Sequence, residues 1–350
     1  MRIAAYTGGP NVPSARARVR QYIEPLRALG VRVTEYPLPW GNVLPRRRSV
    51  QPIWAASTAA ARLISLTRSW TADVTWVSRQ LLPAFVPVQA LARRPLVLDV
   101  DDAVWLNTGG RRAKDLARAS TAVVCGNEYL AEYFRQWNSA VHVIPTAIDT
   151  HLLHPARKTN TSGNPVVVGW SGTSGNFPLL YEIEGAIAHV MQERSNVRFR
   201  VMADRPPRFK HLPEARVEFV RWAPGLEPEV IQQMSIGLMP LVEDAWCAGK
   251  CSYKMLCYMA CGVPVVVSPV GMNREVLAHG AVGFGATHTS EWVETLLELI
   301  DNDALRGHMG AEGRSVVERH FSLDRLVPAY AEIFRSVAYA SGKTAVAETA

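Results

Sequence analysis

Two lysines four residues apart, Lys250 and Lys254, open the stretch of this chain best suited to chemistry on a phosphate. A lysine ammonium is a compact positive charge with three donors, able to neutralise a diphosphate as charge builds on it. The rival reading of either lysine is a solvated helix charge; a phosphate role is favoured for at least one of them. A second anion-binding candidate is the loop Ser171-Gly172-Thr173-Ser174-Gly175-Asn176, whose backbone N–H groups open a helix. Ordinary turns also need glycine, and the same two readings stand for Gly8-Gly9 after the first strand. Carboxylates gather in Asp99-Val100-Asp101-Asp102. At a strand end, Asp101 suits hydrogen bonding to a hydroxyl, and Asp102 suits helix capping or contact with a second substrate. Arg16, Arg18 and Arg20 alternate along a helix start, so they cannot all face one way; Arg16 is nearest the Gly8-Gly9 loop.

These residues need a scaffold, and the sequence alternates strands with helices in two halves, the pattern of parallel sheets. The first half opens with a strand at Arg2 to Tyr6 and an amphipathic helix from Ala15 to Leu29, capped by Gly30. Further strands are predicted at Val31 to Val33, Val74 to Ser78, Leu96 to Val100, Ala122 to Cys125 and Val141 to Ile144. A polar connection, Pro155 to Pro165, reads as a linker. The second half restarts at Val166 to Trp170, with a helix over Pro178 to Met191. Strands follow at Arg198 to Met202, Val217 to Val220, Ile236 to Pro240 and Val263 to Val267, the last leading into a loop from Ser268 to Glu275. Helices are predicted at Ser290 to Asn302, Ala304 to Phe321 and Leu323 to Tyr339, before a frayed tail. The expected division is 1–155, 156–322, a helix at 323–340 returning to the first domain, and a flexible 341–350. In such folds, ligands bind at the carboxyl edge of the sheet.

Composition sets bounds. A chain of 350 residues with 48% hydrophobic and 20% charged residues is that of a soluble two-domain protein. Leu81 to Ala92, cut by Pro83 and Pro87, is too short and broken to span a bilayer. Met1-Arg2 leads directly into a strand, which predicts a cytoplasmic protein. The net charge of +7 is dispersed, with one cluster at Arg46-Arg47-Arg48. With Trp40 and Trp54 nearby, that cluster suggests peripheral contact with a membrane surface. The basic-aromatic modules of nucleic-acid binders are missing, so nucleic acid is not an expected partner. Cys247 and Cys251, and Cys257 and Cys261, are four apart within each pair rather than spaced as C-x-x-C knuckles, which favours buried thiols over a metal site. His142, His151 and His154 lack partners at metal-ligand spacing. No metal or cofactor is expected.

The stretch from Lys250 through MACGVPVVVSPVG to Glu275 resembles the donor-binding region of the retaining glycosyltransferases of family 4. YTGGPNVPSARARV at the start and NEYLAEYF with VHVIPTAID in the middle extend the resemblance over nearly the whole chain. It implies the GT-B fold, two Rossmann-like doubly wound parallel-sheet domains facing across a cleft. It implies transfer of a hexose from a nucleoside diphosphate sugar to a hydroxyl of a glycan or lipid-linked acceptor. By the same resemblance Asp101 lies near the transferred sugar, where family members often carry His. Glu275 touches the sugar, and Met272 and Asn273 present backbone amides to the diphosphate. Arg221 and Trp222 flank the base, although Trp222 reads equally well as core. The Gly8-Gly9 loop, with Arg16, approaches the donor phosphates and the acceptor. Asp99 to Asp102 superficially resembles the D-x-D metal motif of another glycosyltransferase fold, which the flanking pattern does not support.

One departure from the family is sharp. Its two glutamates, eight positions apart, fall in register on Gly249 and Cys257, and neither can accept hydrogen bonds as a carboxylate does. The basic residue that family members often carry after the strand preceding Ser171 is also missing. Both departures shift the work to Lys250, Lys254 and the amides of Ser171, Gly172 and Thr173. The implied chemistry is front-face displacement with retention, in which the leaving diphosphate helps deprotonate the incoming hydroxyl. The alternatives are a nucleotide-sugar epimerase of the same fold and a non-catalytic sugar-nucleotide-binding scaffold.

Overall fold

The computed structural model describes residues 1–41, 45, 47–80, 91–108, 110–156 and 165–342. Arg46, most of Leu81 to Ala92, most of the Pro155 to Pro165 connection and 343–350 of the tail lie outside the described residues. The chain divides into two compact units: Met1–Ala147 with Gly249–Cys251 and Leu323–Ala350, and Ile148–Ala248 with Ser252–Ser322.

The first unit is built on β1 (Arg2–Thr7), α1 (Pro13–Arg18), α2 (Ile23–Ala28), β2 (Arg32–Pro37), α3 (Gln51–Leu66), β3 (Val74–Ser78), β4 (Leu96–Val100), α4 (Val104–Thr108), α5 (Arg111–Ala119), β5 (Ala122–Cys125), α6 (Glu128–Arg135) and β6 (Val141–Val143). Its six strands are all parallel, in the order β2-β1-β3-β4-β5-β6. β3 and β4 are buried along their whole length, as central strands of a parallel sheet covered on both faces should be. The strand order reverses between β1 and β3, and the chain turns out at Gly8-Gly9 and Arg79 there. That is the switch point where doubly wound sheets bind ligands.

The helix expected over Ala15 to Leu29 is broken into α1, a 3₁₀ turn at Arg20–Tyr22, and α2. Pro25 explains the break: it lacks an N–H, and its ring clashes with the carbonyl four residues back in a continuous helix. Gly30, at φ +77°, does end α2, and the Val31 N–H returns to the Leu26 carbonyl at 3.0 Å.

The second unit contains β7 (Val166–Ser171), α7 (Phe177–Tyr181), α8 (Glu184–Glu193), β8 (Val197–Ala203), β9 (Val217–Arg221), α9 (Glu227–Gln232), β10 (Ile236–Met239), α10 (Ala245–Ala248), α11 (Tyr253–Ala260), β11 (Val265–Val267), α12 (Met272–Leu277), β12 (Gly283–Gly285), α13 (Thr289–Asp301) and α14 (Asp303–Val316). Its parallel order is β12-β11-β10-β7-β8-β9, so its switch point lies between β7 and β10. The helix expected over Pro178 to Met191 is two helices, and the one over Ala304 to Phe321 ends in a π turn at Val317–Phe321. Residues 268–275 are not all loop: α12 starts at Met272.

The last helix, α15 (Leu323–Ala340), belongs to the first unit. Its Leu323, Val327, Tyr330, Phe334 and Val337 share a core with Ile3, Val74 and Val97. Trp76 of β3 packs against Tyr330 and Phe334 at centroid distances of 5.3 and 5.1 Å. Beneath them lies a fully buried ion pair. Arg18 donates to Asp99 at 2.8 and 3.4 Å and to the Ile144 carbonyl at 2.8 Å, and the Tyr330 hydroxyl donates to Asp99. Burial raises the Asp99 carboxyl, while the guanidinium and the tyrosine hydrogen bond act in the other direction.

Candidate functional site

In the first unit, the carboxyl ends of β3 and β4 carry the charged cluster. Arg79 follows β3 with φ +64°, a left-handed conformation unusual for a residue with a side chain. Its N–H donates to the Asp99 carbonyl at 2.7 Å. Its guanidinium forks onto Asp101 and Asp102, leaving one oxygen of each carboxylate outside the fork. Asp101 and Asp102 are 12% and 18% exposed, so the cluster meets solvent on one side. The two carboxyls are driven apart. Burial pushes Asp101 up, but the Arg79 charge and hydrogen bond outweigh it and hold it below the usual carboxylate range. Asp102 is raised, by burial first and by the Asp101 charge, against the pull of Arg79 and Lys250.

Lys250 reaches this cluster because Gly249–Cys251 belongs to the first unit. Asn127 Nδ2 donates to the Lys250 carbonyl at 3.1 Å, and Cys251 Sγ to the Asp101 carbonyl at 3.3 Å. A Cβ on Gly249 would stand 2.9 Å from the Ala103 backbone nitrogen and 2.7 Å from its Cβ. Position 249 therefore has no room for the family's first glutamate. Cys257, at the second glutamate position, is fully buried on α11. Lys250 precedes α11 and Lys254 lies on it, so the two lysines do not share a helix face.

In the second unit, Lys254 lies at the carboxyl end of β7. A Cβ on Gly172 would meet Lys254 Cε at 2.9 Å, and the ammonium is 5.7 Å from the Trp170 ring centroid. The Trp170 ring comes closer still, at 2.7 Å, so the ring and the lysine stem together leave room only for glycine there. Of the amides expected to bind an anion, two are committed elsewhere. The Ser171 N–H donates to Tyr258 Oη at 2.7 Å and the Gly172 N–H to the Met202 carbonyl at 3.0 Å. Ser174 donates through its N–H and hydroxyl to Asp204, at 2.6 and 2.7 Å. Those bonds hold the Asp204 carboxyl below its usual range, against the effect of burial. The exposed Thr173 N–H, the remaining amide, has no acceptor among the described residues.

The other predicted residues fare unequally. Asn273 is fully buried; its N–H donates to the Val270 carbonyl at 3.2 Å and its side chain joins Ser252 to the Ser268 carbonyl. It is a structural clamp, which leaves Met272 at the start of α12 as the amide of that pair facing outward from the helix end. Glu275 sits on α12, not in a loop, and is exposed. Arg221 is exposed and donates to the Asp204 carbonyl at 3.1 Å, and Trp222 is half-buried. Gly9 has a turn role of its own: at φ +142° its missing Cβ admits Gly41 Cα, which a Cβ would meet at 2.8 Å. Gly8 precedes it, half-buried. Arg18 and Arg20 are engaged by Asp99 and Glu35, and Arg16 is half-buried on α1. All five cysteines are buried and free, and no cluster of three or more His, Cys, Asp or Glu with metal-binding geometry occurs among the described residues. His142, His151 and His154 are exposed.

Arg79 was missed by sequence reasoning, although a cation directly after a strand at a sheet switch point was its available signal. Asp204 gave none, because an acid after a strand is common and its partner Ser174 is distant in sequence.

Two parallel six-stranded sheets, each flanked by helices and each with its own switch point, define the two-domain α/β fold of GT-B glycosyltransferases. Within it, residues 176–302 match the family described as glycosyl transferases group 1. The fold is similar to sucrose-phosphate synthase from Thermosynechococcus elongatus, with a TM-score of 0.71 and 14% identity over 97% of this chain and 100% of that one. It is similar to HepE from Anabaena in complex with UDP and glucose, with a TM-score of 0.70 and 16% identity over 96% and 100% of the two chains. WaaG, a glycosyltransferase involved in lipopolysaccharide biosynthesis, superimposes with a TM-score of 0.68 and 15% identity over 95% and 99%. No curated protein matches the chain.

Proposed function

We propose that this protein is a retaining hexosyltransferase of family 4 type, taking its sugar from a nucleoside diphosphate donor. The observation that carries the reading is Lys254 lying across Gly172 at the switch point of the second unit, beside the open Thr173 N–H. A cation and an unspent amide at that edge suit a diphosphate. HepE was solved with UDP-glucose, which makes UDP-glucose the first donor to try. The acceptor hydroxyl belongs to a glycan or a lipid-linked glycan. The reaction is front-face displacement, the leaving diphosphate taking the proton of the incoming hydroxyl. In that scheme Lys254 and the Thr173 N–H stabilise the diphosphate. Asp101 and Asp102, held by Arg79, orient hydroxyl groups through their outer oxygens, with Lys250 beside them. Glu275, Met272, Arg221 and Trp222 contact the donor, and Gly8, Gly9 and Arg16 the acceptor side. The protein is expected in the cytoplasm, at the inner face of the membrane where its acceptor is lipid-linked.

Titration calorimetry with UDP, GDP and ADP, and then their sugars, tests the donor. Selective binding of one diphosphate that Lys254→Ala weakens at least tenfold supports the reading. Equal affinity in the variant removes Lys254 from the site. A second reading keeps the donor site without turnover. It is favoured by the missing room at Gly249 and the buried Cys257, which deny the protein both family glutamates. Donor binding with neither transfer nor hydrolysis would select it.

A further inference from the structure

α3 is turned the wrong way round for a helix on a soluble surface. Its buried positions are Thr58, Arg62 and Leu66, and the Arg62 guanidinium donates to the Thr7 and Tyr36 carbonyls at 2.8 and 2.9 Å. Its exposed positions include Ile53, Ala56, Ala60, Leu63 and Ile64, spaced as one helical stripe. Ile53 and Ile64 are 70% and 72% exposed, and Leu63 42%. Two of its three buried positions are polar and its exposed positions are apolar, close to the reverse of the usual amphipathic arrangement. Beyond the two ends of the helix, Trp40 and Trp70 are 59% and 62% exposed.

Charge says what covers this stripe. No Asp or Glu occurs between Glu35 and Asp73. Exposed Arg47 and Arg48 precede the helix and exposed Arg68 follows it. An apolar stripe bracketed by arginines, with no acid in its segment, is complementary to an anionic lipid surface. Pairing with a second copy through the same stripe would set these arginines against one another. No helix among the described residues is long and apolar enough to cross a bilayer, so the contact lies in the interface plane. At 16 residues α3 is about 24 Å long, enough for several lipid headgroups.

We infer that the exposed face of α3 docks the protein on an anionic membrane surface, with Ile53, Leu63 and Ile64 entering the headgroup boundary and Arg47, Arg48 and Arg68 on the phosphates. The inference stands apart from the donor reading, since it concerns a surface that needs no nucleotide.

The test is co-sedimentation of the full chain with vesicles of phosphatidylcholine alone and with about one third phosphatidylglycerol. The parent protein sediments with the mixed vesicles and not the neutral ones. Ile53→Ser with Ile64→Ser lowers the partition coefficient on the order of a hundredfold, from the loss of two inserted side chains. Arg47→Gln with Arg48→Gln lowers it about thirtyfold, from two headgroup attractions. Both pairs are exposed, so folding is checked by an unchanged thermal midpoint, and nucleotide binding is unaffected whether or not vesicles bind. Equal sedimentation with both vesicles, sedimentation with neither, or parent-like binding of the Ile53→Ser, Ile64→Ser variant overturns the inference. A dimer in sedimentation equilibrium that the same variant dissociates would also overturn it, by assigning the face to a second copy.

Discussion

Replacing Asp99 with Asn isolates the buried pair that ties α1, β4 and α15 together. Arg18 and Asp99 are both fully buried. Asn keeps the shape and one acceptor but removes the charge, stranding a guanidinium that still has the Ile144 carbonyl and Thr146 Oγ1. Breaking a buried pair from one side costs roughly 3–5 kcal/mol; the surviving hydrogen bonds place this case near about 3 kcal/mol. That is about two orders of magnitude in an opening equilibrium. A two-unit chain does not unfold in one step, so a global midpoint would mix both units. Amide hydrogen exchange by mass spectrometry resolves them. Slow amides of β4 and α15 should exchange about a hundredfold faster in Asp99→Asn, while those of β7 and β10 stay unchanged. Arg18→Met with Asp99→Leu should recover most of the loss, because an apolar pair leaves no charge stranded. A less than threefold change in Asp99→Asn, or a double variant worse than the single one, would refute the reasoning.

Three further outcomes follow from the same geometry. Lys254→Ala should weaken nucleoside diphosphate binding by about ten- to a hundredfold, the worth of a charge-assisted hydrogen bond, read by calorimetry. Gly249→Glu, which restores the family residue, should destabilise the first unit by about 1–3 kcal/mol and add no activity, because the side chain starts inside the Ala103 backbone; a gain in turnover would contradict it. The native protein should show no fast thiol towards an aromatic disulfide reagent at neutral pH, since all five cysteines are buried and burial pushes the Cys261 thiol up to about 12.

The sheets were legible because several strands are short unbroken apolar runs, such as Val265–Val267 and Ala122–Cys125, of the kind that a buried parallel strand carries. Lys254 was legible too, as a cation near a loop of small residues. The rest depended on distances that sequence does not contain. Lys250 was grouped with Lys254 by spacing, yet Ser252 in the left-handed region, at φ +49°, turns the chain between them. Gly172 looked like a phosphate-binding amide, but its N–H completes the pairing of β7 with β8. Asn273 looked like a loop donor and proved to be buried mortar between Ser252 and Ser268. In each case a turn or a hydrogen-bond partner that the sequence does not display decided where the group points.

Arg79 offers a way to separate a positioning role from plain stability. Its backbone at φ +64° suits glycine, so Arg79→Gly relieves local strain while removing the fork. Without the guanidinium, Asp101 and Asp102 face each other with Lys250 as the remaining neighbouring cation among those that act on Asp102. In the parent, Asp101 titrates below its unfolded value. A depressed carboxyl stabilises the fold above the unfolded pKa of about 4, and that contribution vanishes as pH falls through the folded pKa. The variant lacks it at every pH. The parent should therefore melt higher than Arg79→Gly at pH 7, by a margin equivalent to about 1–3 kcal/mol for a partly exposed pair. That margin should shrink below pH 4, as pH falls toward the depressed folded value of Asp101 and the fork loses the charge it holds. The midpoint of the first unit's own transition, resolved by calorimetry in the two proteins from pH 7 to pH 3, measures it. A margin constant across that range would mean that Arg79 acts through packing or backbone shape, and that the carboxylates are held by something other than its charge.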